Sequence, residues 1–151
     1  MTEYVSFPES TARYSLPFLV AGQAQKEFFV NEALERLDIL LHPVVEGEVC
    51  DPPSSPQKGQ AYLVATPATG AWIGQEDRIA GWDGNQWTFI DPTAQMNVFD
   101  KNLGRRRCFR EGWNLPPEPV LPTGGSTIDS EAREAIETIV ELLQQAGLIS
   151  S

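Results

Sequence analysis

Trp72, Trp82, Trp87 and Trp113 lie in a stretch rich in glycine and turn residues. Exposed aromatic rings stack on sugar faces, so these four are candidate glycan contacts. Small β-meanders more often use tryptophan as core filler. The run Arg105-Arg106-Arg107, with Arg110 close by, is the one continuous basic segment. On a strand its alternate residues face opposite sides. Such a run could meet an acidic surface or an anionic glycan, although charged strands more often serve to block stray edge pairing.

Other chemistry is sparse. With His42 as the single histidine, a histidine metal cluster is excluded. His42 sits just before Pro43 and reads as a helix C-terminal residue, where positive charge is mildly favoured. Cys50 and Cys108 stand 58 positions apart, which gives no metal spacing and no CxxC pair; they read as buried thiols. Gly70-Ala71-Trp72-Ile73-Gly74 lacks the following Lys-Ser/Thr of a phosphate loop and reads as a turn. Carboxylates are plentiful, but none is paired in a context that marks an acid and a base. We therefore expect no enzyme: no catalytic, cofactor-binding or metal-binding residue, and no cofactor.

The 151 residues suit one ordinary domain, or a small domain with appendages. Eleven basic against 21 acidic residues leave a net charge of −10. That excess argues against nucleic-acid binding and against a polybasic membrane surface. No apolar run approaches the ~18 residues of a membrane span, and Met1-Thr2-Glu3-Tyr4 does not resemble a secretory signal. The expected setting is the cytosol, or a particle assembled there.

Composition divides the chain into an extended docking arm (1–22), a helix (23–46), a β-meander domain (47–113), a proline-rich linker (114–125) and a C-terminal helix (126–151), an α+β fold. The arm carries Phe7, Tyr14, Leu16, Phe18 and Leu19 without helical or alternating period. Such a segment must lie on a surface, either this chain's own core or a neighbouring subunit. From Ala24 to Leu41 apolar residues recur at helical spacing, with Val30, Ala33, Leu37, Leu40 and Val44 as the stripe and Leu34 and Leu41 widening it. Glu27, Glu32, Glu35, Arg36 and Asp38 are expected on the solvated face.

Gln60 to Thr66 reads as a strand, followed by one hairpin around Asp83-Gly84-Asn85 and another around Asn102-Leu103-Gly104. Trp82, Trp87 and Phe89 are expected on one sheet face. After Pro116, Pro117, Pro119 and Pro122 comes a second helix, with Asp129 as N-cap and Gly147 ending it. Its apolar set Ala132, Ala135, Ile139, Leu142, Ala146 and Ile149 steps by a coiled-coil period, and Ile136 and Leu143 broaden the seam. Packing onto its own domain would hide this face. The stiff spacer instead favours its own copies in a homo-oligomer, a trimer or pentamer.

The segment Thr11-Ala12-Arg13-Tyr14-Ser15-Leu16-Pro17-Phe18-Leu19-Val20-Ala21-Gly22-Gln23-Ala24-Gln25-Lys26-Glu27, with Asn31-Glu32-Ala33-Leu34, resembles the opening of the domain-of-unknown-function 2793 family. Gly59-Gln60-Ala61-Tyr62-Leu63-Val64, Thr69-Gly70-Ala71-Trp72-Ile73-Gly74 and Asp83-Gly84-Asn85-Gln86-Trp87 match the same domain, and residues 122–149 are similar to its tails. Phe28-Phe29-Val30 departs from the more polar residues common in relatives. The resemblance implies a component of a phage or gene-transfer-agent virion: a spike, fibre or fibre-base protein made in the host bacterial cytoplasm. Its partners would be other virion proteins (capsid or fibre) and a host surface glycan. No catalytic residue carries over. Nucleic acid and membrane insertion are not expected.

Overall fold

A computed structural model describes residues 9–20, 22, 26–126 and 128–149. Phe7 of the arm and Ala24 at the start of the expected helix lie outside these residues. The fold is α+β, with two helices and strands in two mostly antiparallel sheets. Two compact units, Met1–Pro92 and Thr93–Ser151, divide the chain. The division falls inside the stretch 47–113 that was expected to form one meander. Pro92 stands at the division, and a proline has no N–H with which to continue a ladder.

The first unit holds α1 (Lys26–Leu40), β1 (Val44–Val45), β2 (Glu48–Val49), β3 (Ala61–Val64), a 3-10 turn at Gly70–Trp72, β4 (Ile79–Trp82) and β5 (Trp87–Ile90). A sheet runs in the order β2-β3-β4-β5, with β2 parallel to β3 and the other pairs antiparallel. The Asp83-Gly84-Asn85 turn forms as its chemistry requires. The Asp83 carboxylate accepts from the N–H groups of Asn85 and Gln86 at 2.6 and 2.7 Å, and Gly84 takes φ +106°. The register puts Tyr62, Ala80 and Phe89 on one sheet face and Leu63, Ile79 and Ile90 on the other.

Helix α1 meets the second face through Ile39. A Cβ on Gly81 would lie 2.9 Å from Ile39 Cγ1 and overlap Ile39 Cδ1. Gly81→Ala should therefore cost about 1–3 kcal/mol by overpacking, measurable as a lower urea midpoint.

The buried side of α1 differs from the expected stripe. Asp38 and Ile39 are its buried residues, whereas Val30, Leu37 and Leu41 are 41%, 50% and 59% exposed. The helix is rotated because its polar residues hold the arm, which apolar periodicity cannot register. Asp38, expected on the solvated face, is 1% exposed.

The second unit holds β6 (Asn97–Asp100), β7 (Arg105–Phe109), β8 (Trp113–Asn114) and α2 (Ser130–Gln145). Strands β6, β7 and β8 follow one another antiparallel, with Gly104 at φ +66° in the first turn. Residues 115–126 and 128–129 hold neither helix nor strand. Arg133 ties this spacer to the first turns of α2 by donating to the carbonyls of Pro122 and Gly124 at 2.9 and 2.6 Å.

Both ends of α2 are closed. Asp129 Oδ1 accepts from the Ala132 N–H at 2.9 Å. At the other end Leu148 N–H reaches the Leu143 carbonyl at 3.0 Å, Gly147 N–H reaches Gln144 at 2.9 Å, and Gly147 takes φ +66°. That pair of bonds around a left-handed glycine is a Schellman cap. The helix is thus well terminated by local sequence.

Candidate functional site

The four tryptophans occupy different environments. Trp72 is 0% exposed in a core with Val64 and Ala80. Trp87 stands against it with ring centroids 5.0 Å apart, and Trp82 lies 4.8 Å from Trp87. Trp113, 8% exposed, packs edge-on to Phe109 at 5.2 Å. Trp72 and Trp113 thus take the core-filling role that small β-sheets more often give tryptophan, and their burial leaves little ring face for a sugar. Trp82 and Trp87 are half-buried and turn ring surface toward each other.

The described part of the arm is folded rather than extended. Ser10 and Pro17 form an antiparallel bridge, and Thr11 N–H reaches the Leu16 carbonyl at 3.0 Å. Asp38 on α1 grips the turn between them. Its carboxylate accepts from Thr11 Oγ1 at 2.6 Å, Arg13 N–H at 2.7 Å and Tyr14 N–H at 2.8 Å. Arg13 reaches onward and donates to the carbonyls of Gly59 at 2.7 Å and Val44 at 2.9 Å. It also donates to those of Ile39 and His42, at 3.3 and 3.2 Å. Burial lowers the pKa of this guanidinium, and the Asp38 charge opposes the shift. About two turns toward the N-terminus of the helix, Asn31 mimics a strand toward Leu19, accepting its N–H at 2.9 Å and donating to its carbonyl at 3.1 Å. Leu16, Phe18 and Leu19 are half-buried, and Tyr14 stays 47% exposed.

Asp38, Arg13 and Asn31 were missed as organising residues. The one sequence signal for them was polar residues at helical spacing opposite a segment too apolar to be free. His42 contributes its backbone carbonyl as an acceptor to this latch. Cys50 and Cys108 are free thiols and half-buried, short of the full burial expected of them. Among the described residues, no group of histidine, cysteine and carboxylates is arranged to hold a metal.

A groove of about 810 Å³ runs past Phe18, Phe28, Glu35, Trp87 and Phe89. Glu35 is pushed up to about 7 by burial, with the charges of Asp83 and Asp38 adding to the shift. Its pKa is higher folded than unfolded, so its contribution to stability is fully present below the usual 4.5 and is lost as pH rises through about 7. Glu35→Gln should stabilise the protein at pH 8 and change little at pH 4. Urea midpoints of both proteins across that range test this, and a constant difference would exclude it. Partial solvent screening keeps the effect modest.

The arginine run splits by strand alternation. Arg107 Nε donates to the fully buried Asp100 at 2.7 Å, and Arg105 pairs with Glu118 at 3.2 Å. Arg106 points to the other side of β7, Arg110 follows the end of the strand, and both are exposed.

The expected oligomer seam lies open. Ile136, Ile139 and Leu142 are 40%, 56% and 58% exposed, Ala132, Ala135 and Ala146 are exposed, and Leu143 is half-buried. Ile149 alone of the set is buried, at 7%, beyond the helix end. No residue of α2 itself is buried.

A latched N-terminal hairpin, a tryptophan-filled sheet and an exposed amphipathic helix define a small α+β protein. The family model described as "Protein of unknown function (DUF2793)" matches residues 30–114, more than half of the chain, and the protein belongs to that family. The matched segment runs from within α1 to the end of β8, leaving out the arm, the spacer and α2. No curated protein matches the chain, and no solved structure does.

Proposed function

We propose that this protein is a non-catalytic structural component of a tailed-phage or gene-transfer-agent-like particle. In this reading it is a head-spike, fibre or fibre-base protein made in the host bacterial cytoplasm. Copies join as a symmetric trimer or pentamer through α2, other virion proteins hold the assembly, and the assembly helps host attachment.

The observation that supports this most is α2 itself. A helix capped at both ends, following a proline spacer, presents Ile136, Ile139 and Leu142 to solvent. Burying each Ile or Leu is worth about 1.5–3 kcal/mol, so several chains meeting on this seam offset the entropy of ordering a short helix. Closed rotational symmetry is the usual outcome of such association. The virion setting rests on the sequence resemblance described above, and Phe28 and Phe29, 69% and 71% exposed on α1, supply a second apolar contact for a particle neighbour.

Mass measured by light scattering tests the assembly. The full chain should be oligomeric, and a version ending at Pro122 should be monomeric. The double variant Ile139→Asp, Leu142→Asp should also be monomeric with its fold kept. A monomeric full chain at high concentration overturns assembly through α2.

A further inference from the structure

The second unit carries a small cavity that no contact described so far occupies. Asn97, Cys108 and Asn114 lie opposite one another across β6, β7 and β8 and so share one sheet face. Arg106, two positions before Cys108 on β7, projects on that face too, and Arg110 follows just past the end of the strand. Together with Pro116 and Leu148 these residues line a cavity of about 230 Å³. Drug-sized ligands occupy pockets of roughly 300–1,000 Å³, so this one suits a single ring-sized group.

Its polar inventory is selective. Arg105 and Arg107 are committed to Glu118 and Asp100, whereas Arg106 and Arg110 make no ion pair among the described residues. Two arginines without an ion pair among the described residues thus line one cavity on a chain of net charge −10. Guanidinium is shaped to take a carboxylate by paired N–H bonds. The two amides are already oriented. Asn97 Nδ2 donates to the Gln95 carbonyl at 2.9 Å, and Asn114 Nδ2 donates to the Gly112 carbonyl at 2.7 Å. With one N–H of each amide engaged in this way, Oδ1 is offered as an acceptor beside the second N–H. A ligand that satisfies all four must bring an anionic acceptor, hydroxyl donors and an apolar C–H surface for Pro116 and Leu148. A bare phosphate or acetate brings only the first.

We infer that this cavity binds the carboxylate-bearing ring of an acidic polysaccharide, with Arg106 and Arg110 holding the carboxylate and Asn97 and Asn114 accepting from ring hydroxyls. The source of such a glycan, a host surface, rests on the attachment reading above. The binding chemistry stands on the cavity alone. Contact with sugar thereby moves from the tryptophans, two of which are core, to the arginine face.

Backbone amide shifts of the full chain, titrated with tetragalacturonate, test the assignment. Saturable shifts are expected at Arg106, Arg110, Asn114 and Leu148, weakening as salt rises. The neutral methyl ester of the same oligosaccharide should bind at least about tenfold more weakly, the loss expected for a charged hydrogen-bonding pair. Arg106→Gln and Arg110→Gln should each reduce affinity by a similar factor, and Arg36→Gln should leave it unchanged. Arg106→Lys, which keeps the charge, is expected to fall between and guards against a misfolded glutamine variant. The assignment is overturned by absence of saturable binding, by equal binding of the ester, by retained affinity in both glutamine variants, or by tighter binding of oligoglutamate, which would make the ligand an acidic peptide. The Ile139→Asp, Leu142→Asp variant separates the two proposals: it should lose assembly and keep per-site binding.

Discussion

Asp38→Ala should cost about 3–5 kcal/mol and release the N-terminal hairpin from α1. The substitution strands the Thr11 hydroxyl and the N–H groups of Arg13 and Tyr14, each of which now meets a carboxylate oxygen. Hydrogen bonds to a charged group contribute about 1.5–3 kcal/mol each, and unmet donors add a desolvation cost. Water entering the vacated site recovers part, so the sum is less than three independent bonds. Arg13 would also lose the turn that aims it at the carbonyls of Gly59 and Val44. Urea unfolding should show the loss of stability. Trypsin should cut after Arg13 far faster in the variant than in the parent under native conditions. Asp38→Asn keeps one acceptor oxygen and should lie between the two. Unchanged cleavage at Arg13 in Asp38→Ala would mean that the latch does not hold the arm.

Trp72→Ala should be as damaging, again about 3–5 kcal/mol, through loss of a large buried side chain and the cavity left behind. Trp72 is fully buried, and Trp87 and Tyr62 rest on it with centroids at 5.0 and 6.0 Å. Trp72→Phe should behave differently. The Trp72 indole N–H is buried without a hydrogen-bond partner among the described residues. Phenylalanine removes that unmet donor while keeping much of the ring, so lost volume and relieved desolvation offset one another. The expected net change is within about 1.5 kcal/mol, well under the alanine cost. A cost for Trp72→Phe equal to that of Trp72→Ala would indicate that the N–H makes a bond in solution. Thermal or urea unfolding of the two variants side by side decides it.

Local signals foretold much of the architecture. Asp-Gly and Gly104 placed the two hairpin turns, because few other residues adopt a positive φ cheaply. Asp129 and Gly147 marked both ends of α2, because caps are bonds between near neighbours in sequence. The parallel pairing of β2 with β3 was not legible, since it joins segments that no turn signal links. Nor was the division at Pro92, which splits what composition presents as one β-rich stretch.

The candidate sites show the same divide. Strand alternation in the arginine run was visible in advance, but which arginines find acids was not. Glu118 sits in the proline spacer and Asp100 on the facing strand, and only folding brings them to Arg105 and Arg107.

By itself the sequence determined the α+β class, the ends of α2, the hairpin turns and the apolar face of α2, all of which depend on residues within a few positions of each other. The first helix, expected over 23–46, stops at Leu40 and gives Val44 to β1. The tertiary structure decided which face of α1 is buried, which tryptophans are core, and that Asp38 is a latch. Each of those outcomes depends on a partner contributed by a distant segment, and burial is a property of that pairing.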